Sequence, residues 1–177
     1  MREIQKNTSI YIEKLSSHKY IKNTLLEMID KCSGEPLHAV SKTNWNEPWE
    51  KRAEYWDYFF SFVHPYITNV VMRLHKTDFK VVNQWYQQYY KNSKHDWHVH
   101  FLNQKDDEKP NGLAVVYFLE LSDGLGTEFI DYPKLQYEEG DLVFFPNYLP
   151  HRSPINLTDK RKTVISFNIN IGEKNDL

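Results

Sequence analysis

From Phe79 to Ile171 the chain is a series of apolar and β-branched runs broken by turn residues, recurring about every eight to twelve residues with no helical repeat between them. A parallel sheet needs a crossover, usually a helix, between successive strands. Its absence here points to an antiparallel sandwich or barrel. The runs cover 79–90, 113–121, 127–132, 142–145 and 163–171, with Asp123-Gly124 and Pro133-Lys134 as turn signals. In the first run, period-two alternation puts Trp85, Gln87 and Tyr89 on one face and Gln84, Tyr86, Gln88 and Tyr90 on the other. Either face can look inward. The second run is apolar at nearly every position, as in a strand buried on both sides.

The first 76 residues read differently. Ser16 or Ser17 can cap a helix to about Lys31, with Tyr20, Ile21, Leu25 and Met28 at helical spacing and Gly34 and Pro36 ending it. Residues 37–49 read as a loop with room for one short strand. A second helical pattern runs from Glu50 to Val63 through Tyr55, Trp56, Phe59 and Phe60, and Pro65 is expected to kink or stop it. Residues 66–76 add a helical turn or two. The expected layout is one domain: a mainly helical part over 1–76 covering one sheet face, a β core over 77–172 and a tail over 173–177. His18, His38, His64 and His75 lack ligand-like spacing and read as ordinary histidines.

Composition narrows the function classes. A formal net charge of -2 gives no global basic field for a nucleic-acid backbone. One cysteine, Cys32, allows neither an internal disulfide framework nor a cysteine zinc cluster. No run approaches the roughly 18 apolar residues of a membrane span, and the N-terminus lacks a signal-peptide core, so a soluble cytoplasmic protein is expected. A homodimer is left open. Aromatic residues make up 15%, which suits half-buried β surfaces and ligand clefts.

Three short pieces carry chemistry. In Trp97-His98-Val99-His100 the two imidazoles are at i and i+2, so on an extended strand both point to one spot, as two ligands of one metal must. In Glu139-Gly140-Asp141-Leu142-Val143-Phe144-Phe145-Pro146 a turn feeds a strand whose following loop presents His151 as a third ligand. The third piece is Lys162-Thr163-Val164-Ile165-Ser166-Phe167-Asn168, in which Lys162, Ser166 and Asn168 share one strand face and Arg161 the other. The charged stretch 103–111 reads as a solvated connection or as a lid beside the metal.

In order and spacing these pieces, with Tyr117-Phe118-Leu119 and Gly126-Thr127-Glu128-Phe129, resemble the iron(II)- and 2-oxoglutarate-dependent oxygenases of phage and marine microbial type, over about residues 83–170. The resemblance implies a double-stranded β-helix (jelly roll), mainly β with flanking helices on one face. It implies Fe(II) on His98, His100 and His151, and 2-oxoglutarate with its far carboxylate on Lys162 and Ser166. Arg161 is the competing cation, Tyr117 a further donor to that carboxylate, and Asn168 a residue that bonds a ligand or orders a neighbour of the metal. The activity implied is a dioxygenase hydroxylating an unidentified substrate. The commonest iron site of this kind has two histidines and one carboxylate. Position 100 is histidine, so Asp96, Glu128 and Asp131 stand as alternative carboxylate ligands. A cupin-like three-histidine metalloenzyme without 2-oxoglutarate and a non-catalytic jelly-roll binding protein are the other readings.

Overall fold

The computed structural model describes residues 1–6, 8–48, 53–100, 112–122 and 125–172. The expected 103–111 lid, the Asp123-Gly124 turn, the start of the second helix at Glu50 and the 173–177 tail lie outside the described residues. Strands are β1 (Arg2–Gln5), β2 (Ser9–Lys14), β3 (Glu35–Leu37), β4 (Val40–Thr43), β5 (Asp78–Tyr89), β6 (His95–His98), β7 (Gly112–Glu120), β8 (Glu128–Phe129), β9 (Asp141–Pro146), β10 (His151–Ser153) and β11 (Lys162–Gly172). The helices are α1 (His18–Lys31) and α2 (Ala53–Arg73).

Two antiparallel sheets form the jelly roll. The larger has the order β1-β2-β9-β7-β11-β5-β4-β3, the smaller β6-β10-β8. Alternation along the central strands divides the larger sheet between two cores. Leu113, Val115, Tyr117, Leu142, Phe144, Ile165, Phe167 and Ile169 pack with α1 and α2. Ala114, Val116, Phe118, Val143, Phe145 and Val164 pack on the other side with Phe129 from the smaller sheet and Leu149 from the connection between β9 and β10. Both faces of β7 are therefore buried, as its unbroken apolar run requires.

The helical layer forms from apolar stripes. On α1, Ile21, Leu25 and Ile29 recur every fourth residue and are buried, with Ser17 at the N-cap. On α2 the buried stripe is Tyr55, Trp56, Phe59, Val63, Ile67, Val70 and Val71. That stripe crosses Pro65, and the helix continues through the proline instead of stopping there. Proline at a helix interior costs about 3 kcal/mol. Three residues buried beyond it, Ile67, Val70 and Val71, at about 1.5–3 kcal/mol each, outweigh that cost.

Residues 1–76 are also less helical than their sequence suggests, because β1 to β4 lie among them. The four strands are short, β1 and β4 are mostly polar, and β1 and β3 are the edges of the larger sheet. Edges are where charged residues and Pro36 are tolerated, since one side of the backbone has no strand to bond. Among the described residues no helix is long and apolar enough to cross a membrane.

Pro65 is exposed, so its replacement disturbs no core packing. Pro65→Ala restores an amide donor to α2 but gives up about 0.4–1 kcal/mol of unfolded-state restriction. The expected result is a stabilisation of about 2 kcal/mol, read as a higher urea midpoint at unchanged slope.

Candidate metal centre and the pocket beneath it

The histidines meet because two short strands of the smaller sheet pair across them. His151 on β10 lies opposite His98 on β6, and Ser153 lies opposite His95. Directly opposed strand residues have Cβ atoms about 4.5–5.5 Å apart, so the pairing alone sets His98 beside His151. His100, just past the end of β6, is tied down by its backbone N–H donating to the Asn147 carbonyl at 2.8 Å. One potential ligand nitrogen from each of His98, His100 and His151 falls in a group whose members are all within 4.8 Å of one another.

The hydrogen bonds of the three rings prepare them for a cation. His98 Nδ1 lies 2.8 Å from the Asp96 carbonyl, His100 Nδ1 2.7 Å from Asn168 Oδ1, and His151 Nδ1 2.9 Å from the Leu149 carbonyl. Each partner is an acceptor, so each Nδ1 carries the proton and each Nε2 keeps its lone pair. Burial, the first cause in every case, lowers the pKa of all three, that of His100 to about 4. Neutral imidazoles of fixed tautomer suit iron, nickel, copper or zinc.

The alternative carboxylates are committed elsewhere. Asp96 is exposed and bonded to Lys94 at 2.7 Å. Glu128 binds Arg152 through Nε and a second nitrogen, at 2.8 and 2.7 Å. Asp131 occupies an exposed turn at φ 62°. The Asp96 expectation assumed a regular strand from 96 to 100. In fact three steps along β6, from His95 to His98, match two along β10, from Ser153 to His151. This bulge turns Asp96 and Trp97 to solvent.

The same bulge brings in a histidine that period-two counting leaves out. His95 is three residues from His98, which on a regular strand means the opposite face. Here the two rings stack, with centroids 3.9 Å apart and planes 19° apart. Ser153 was also missed, although its place two residues after His151 gives it the same face of β10, a signal present in the sequence.

Beneath the histidines a narrow pocket of about 30 Å³ runs inward, and Lys162, Ser166, Ser153 and Tyr89 line its other end. Lys162 is 2% exposed. Its ammonium donates to Ser153 Oγ at 2.8 Å and lies 5.0 Å from the Tyr89 ring and 5.4 Å from that of Phe118. No carboxylate among the described residues pairs with it, and desolvation lowers its pKa to about 7. Ser166 Oγ is 3.5 Å from Gln87 Oε1. Trp85, Gln87 and Tyr89 therefore form the inward face of β5.

Two of the expected co-substrate contacts lie elsewhere. Arg161 is outside the pocket, paired with Glu120 at 2.7 Å and Asp30 at 2.8 Å. Tyr117 faces the helices, its hydroxyl 2.7 Å from His18 Nδ1. Register explains both. Val164 lies opposite Phe118 on β7, so Phe118 takes the inward place and Tyr117, one residue away, takes the outward one. Asn168 is not at the pocket floor but holds His100, while its Nδ2 donates to Asn83 Oδ1 at 2.7 Å.

No protein-family model and no curated protein matches the chain. Solved structures do resemble it. The viral collagen prolyl hydroxylase of Paramecium Bursaria Chlorella virus-1, in its complex with 2OG, is 15% identical with a TM-score of 0.65, over 90% of this chain and 96% of that one. A Pseudomonas putida prolyl-4-hydroxylase is 12% identical with a TM-score of 0.60, over 95% and 94%. HygX from Streptomyces hygroscopicus, with nickel, 2-oxoglutarate and hygromycin B bound, is 12% identical with a TM-score of 0.63, over 95% and 84%. At such identities the resemblance is one of fold.

Two measurements test the centre. His100 and His151 have folded pKa values below the unfolded value near 6.5, so the unfolded chain takes up protons first as pH falls. Their contribution to stability is complete above about pH 6.5 and is lost on acidification, for His100 down to about pH 4. Metal-free protein should lose up to about 1.4 kcal/mol per pH unit for each of the two across that window, in urea titrations at several pH values. Asn168→Ala frees the His100 ring and should weaken divalent-metal binding about 10–100-fold in competition titrations, with the fold retained.

Proposed function

We propose that the chain is an Fe(II)- and 2-oxoglutarate-dependent oxygenase that hydroxylates an organic substrate. One observation carries this reading: a single pocket is lined both by three imidazoles of the ligand tautomer and by a buried ammonium that no carboxylate among the described residues pairs with. An isolated buried ammonium is costly and is retained where an anion completes it. A dicarboxylate whose keto-acid end reaches the metal and whose far end reaches Lys162 answers both ends. The presence of 2OG or 2-oxoglutarate in two of the similar structures supports the same choice.

The residues divide the work. His98, His100 and His151 would hold the ion through Nε2, each ring kept in orientation by the oxygen on its Nδ1. With three protein ligands, the ion would keep room for a chelating co-substrate. Lys162 would pair with the far carboxylate as a point charge, with Ser166 and Ser153 supplying hydroxyls beside it. Val116, Val164 and Trp85 wall the pocket with apolar surface, which keeps water out and strengthens that ion pair. When bound, Fe(II) with 2-oxoglutarate couples oxidative decarboxylation of the co-substrate to oxygenation of a C–H bond.

A three-histidine site also suits a metalloenzyme that uses no 2-oxoglutarate, and the turning away of Asp96, Glu128 and Asp131 keeps that reading in play. Lys162 separates the two. Under anaerobic conditions, Fe(II) and 2-oxoglutarate should produce a weak visible charge-transfer band that is absent in His98→Ala. Lys162→Met should weaken 2-oxoglutarate on the order of 10²-fold while stabilising the unliganded protein by about 1–4 kcal/mol, because a buried lone charge is removed. If neither the band nor succinate forms, the oxygenase reading is lost. If Lys162→Met keeps full activity, the second reading replaces it.

A further inference from the structure

Above the histidines lies a cleft of about 240 Å³, which shares Trp85, Gln87, His95, His98 and His100 with the pocket below and so opens onto the same centre. Its walls include the indoles of Trp45 and Trp85, which meet edge to face with centroids 4.4 Å apart and planes at 85°. Leu37 adds an aliphatic surface, and Asn83 and Gln87 contribute amides. Among the described residues no Asp, Glu, Lys or Arg lines it; His38 and the site histidines are its only titratable side chains. Lys94 and Arg152, which neighbour the site in sequence, are paired with Asp96 and Glu128. A charged group entering this cleft would give up hydration without meeting a counter-charge.

His95 provides the directional element. Gln87 Nε2 can only donate, so His95 Nδ1, 3.2 Å away, accepts, and the ring proton lies on Nε2. Ser166 Oγ, 3.5 Å from Gln87 Oε1, donates to the amide oxygen in that arrangement. This tautomer is the reverse of that of the three ligand histidines. His95 is thus a hydrogen-bond donor at the junction of cleft and pocket, and no acceptor among the described residues takes its Nε2 proton.

Resting on the oxygenase reading, we infer that the cleft takes an uncharged substrate group with a flat apolar face and an oxygen acceptor. The face lies against Trp45 and Trp85, and the oxygen accepts from His95 Nε2. A dianionic co-substrate on a divalent ion would cancel the charge of the metal nearest the cleft, and the Lys162 ammonium, which does not line the cleft, would be paired with the co-substrate.

Benzamide, benzoate and benzamidine share a ring and differ in charge, which makes them direct probes. Binding is measured by saturation-transfer NMR on full-length protein loaded with zinc(II) and 2-oxoglutarate. Benzamide should bind at least tenfold more tightly than either ion. Trp45→Ala, at a side chain already 39% exposed, should reduce that affinity at least fivefold. His95→Phe keeps a ring on His98 but removes the donor. It should weaken benzamide at least fivefold and leave toluene unchanged.

Benzoate or benzamidine binding within threefold of benzamide overturns the inference, as does undiminished benzamide binding in both variants. The comparison is repeated on metal-free Lys162→Met protein, where no deep ammonium draws benzoate below the cleft. Charge selection there supports the cleft assignment even if the Fe(II) band never forms. A band without charge selection overturns the cleft assignment alone.

Discussion

A slip of β11 by one residue against β5 and β7 would turn Lys162, Ser166 and Asn168 onto the helices and bring Ile165 and Phe167 into the pocket. The pocket's ammonium, the Ser166 hydroxyl and the amide that holds His100 all depend on that register. It is held from both sides, since the outward residues of β11 fill the helix-facing core while Val164 packs inward beside Phe118 and Val143. Pairing adds detail: Lys162 lies opposite Tyr89, Ser166 opposite Trp85 and Asn168 opposite Asn83. No described residue of α1 or α2 lines the pocket or the cleft, yet their apolar stripes make the wrong register expensive.

Charge distribution follows from the same arrangement. Acidic side chains near the centre are neutralised by arginine or lysine at the rim, as Glu128 is by Arg152 and Asp96 by Lys94. Three neutral imidazoles would leave a divalent ion with its full charge, where a carboxylate ligand would halve it. Anion affinity is therefore concentrated along the pocket axis, at a cation at one end and Lys162 at the other. The cleft above carries none of it.

Much of this was legible in the residues. Alternation in 162–168 put Lys162 with Ser166 and Asn168 and set Arg161 apart, and the structure keeps that division because β11 is regular there. The continuous apolar run of β7 signalled burial on both faces but could not say which parity looked inward, so Tyr117 and Phe118 were interchangeable until β11 was paired with β7. Where counting failed, a local irregularity had changed the count. The β6 bulge brought His95 in and turned Asp96 out. The edge strands β1 and β3 were hidden for another reason: edges are short and polar or charged, and so carry little of the alternation that reveals a strand. Pro65 misled because local propensity was outweighed by packing on both sides of it.

β10 has one more role. It carries His151 and, two residues on, the Ser153 that holds the Lys162 ammonium. Two steps of extended chain advance about 6.6–6.8 Å, and β10 contributes no extra residue between them. The strand is thus a gauge. On the oxygenase reading, the backbone repeat between His151 and Ser153 sets how far the ion's ligand stands from the hydroxyl that anchors the ammonium, and so favours a bridging acid of one length.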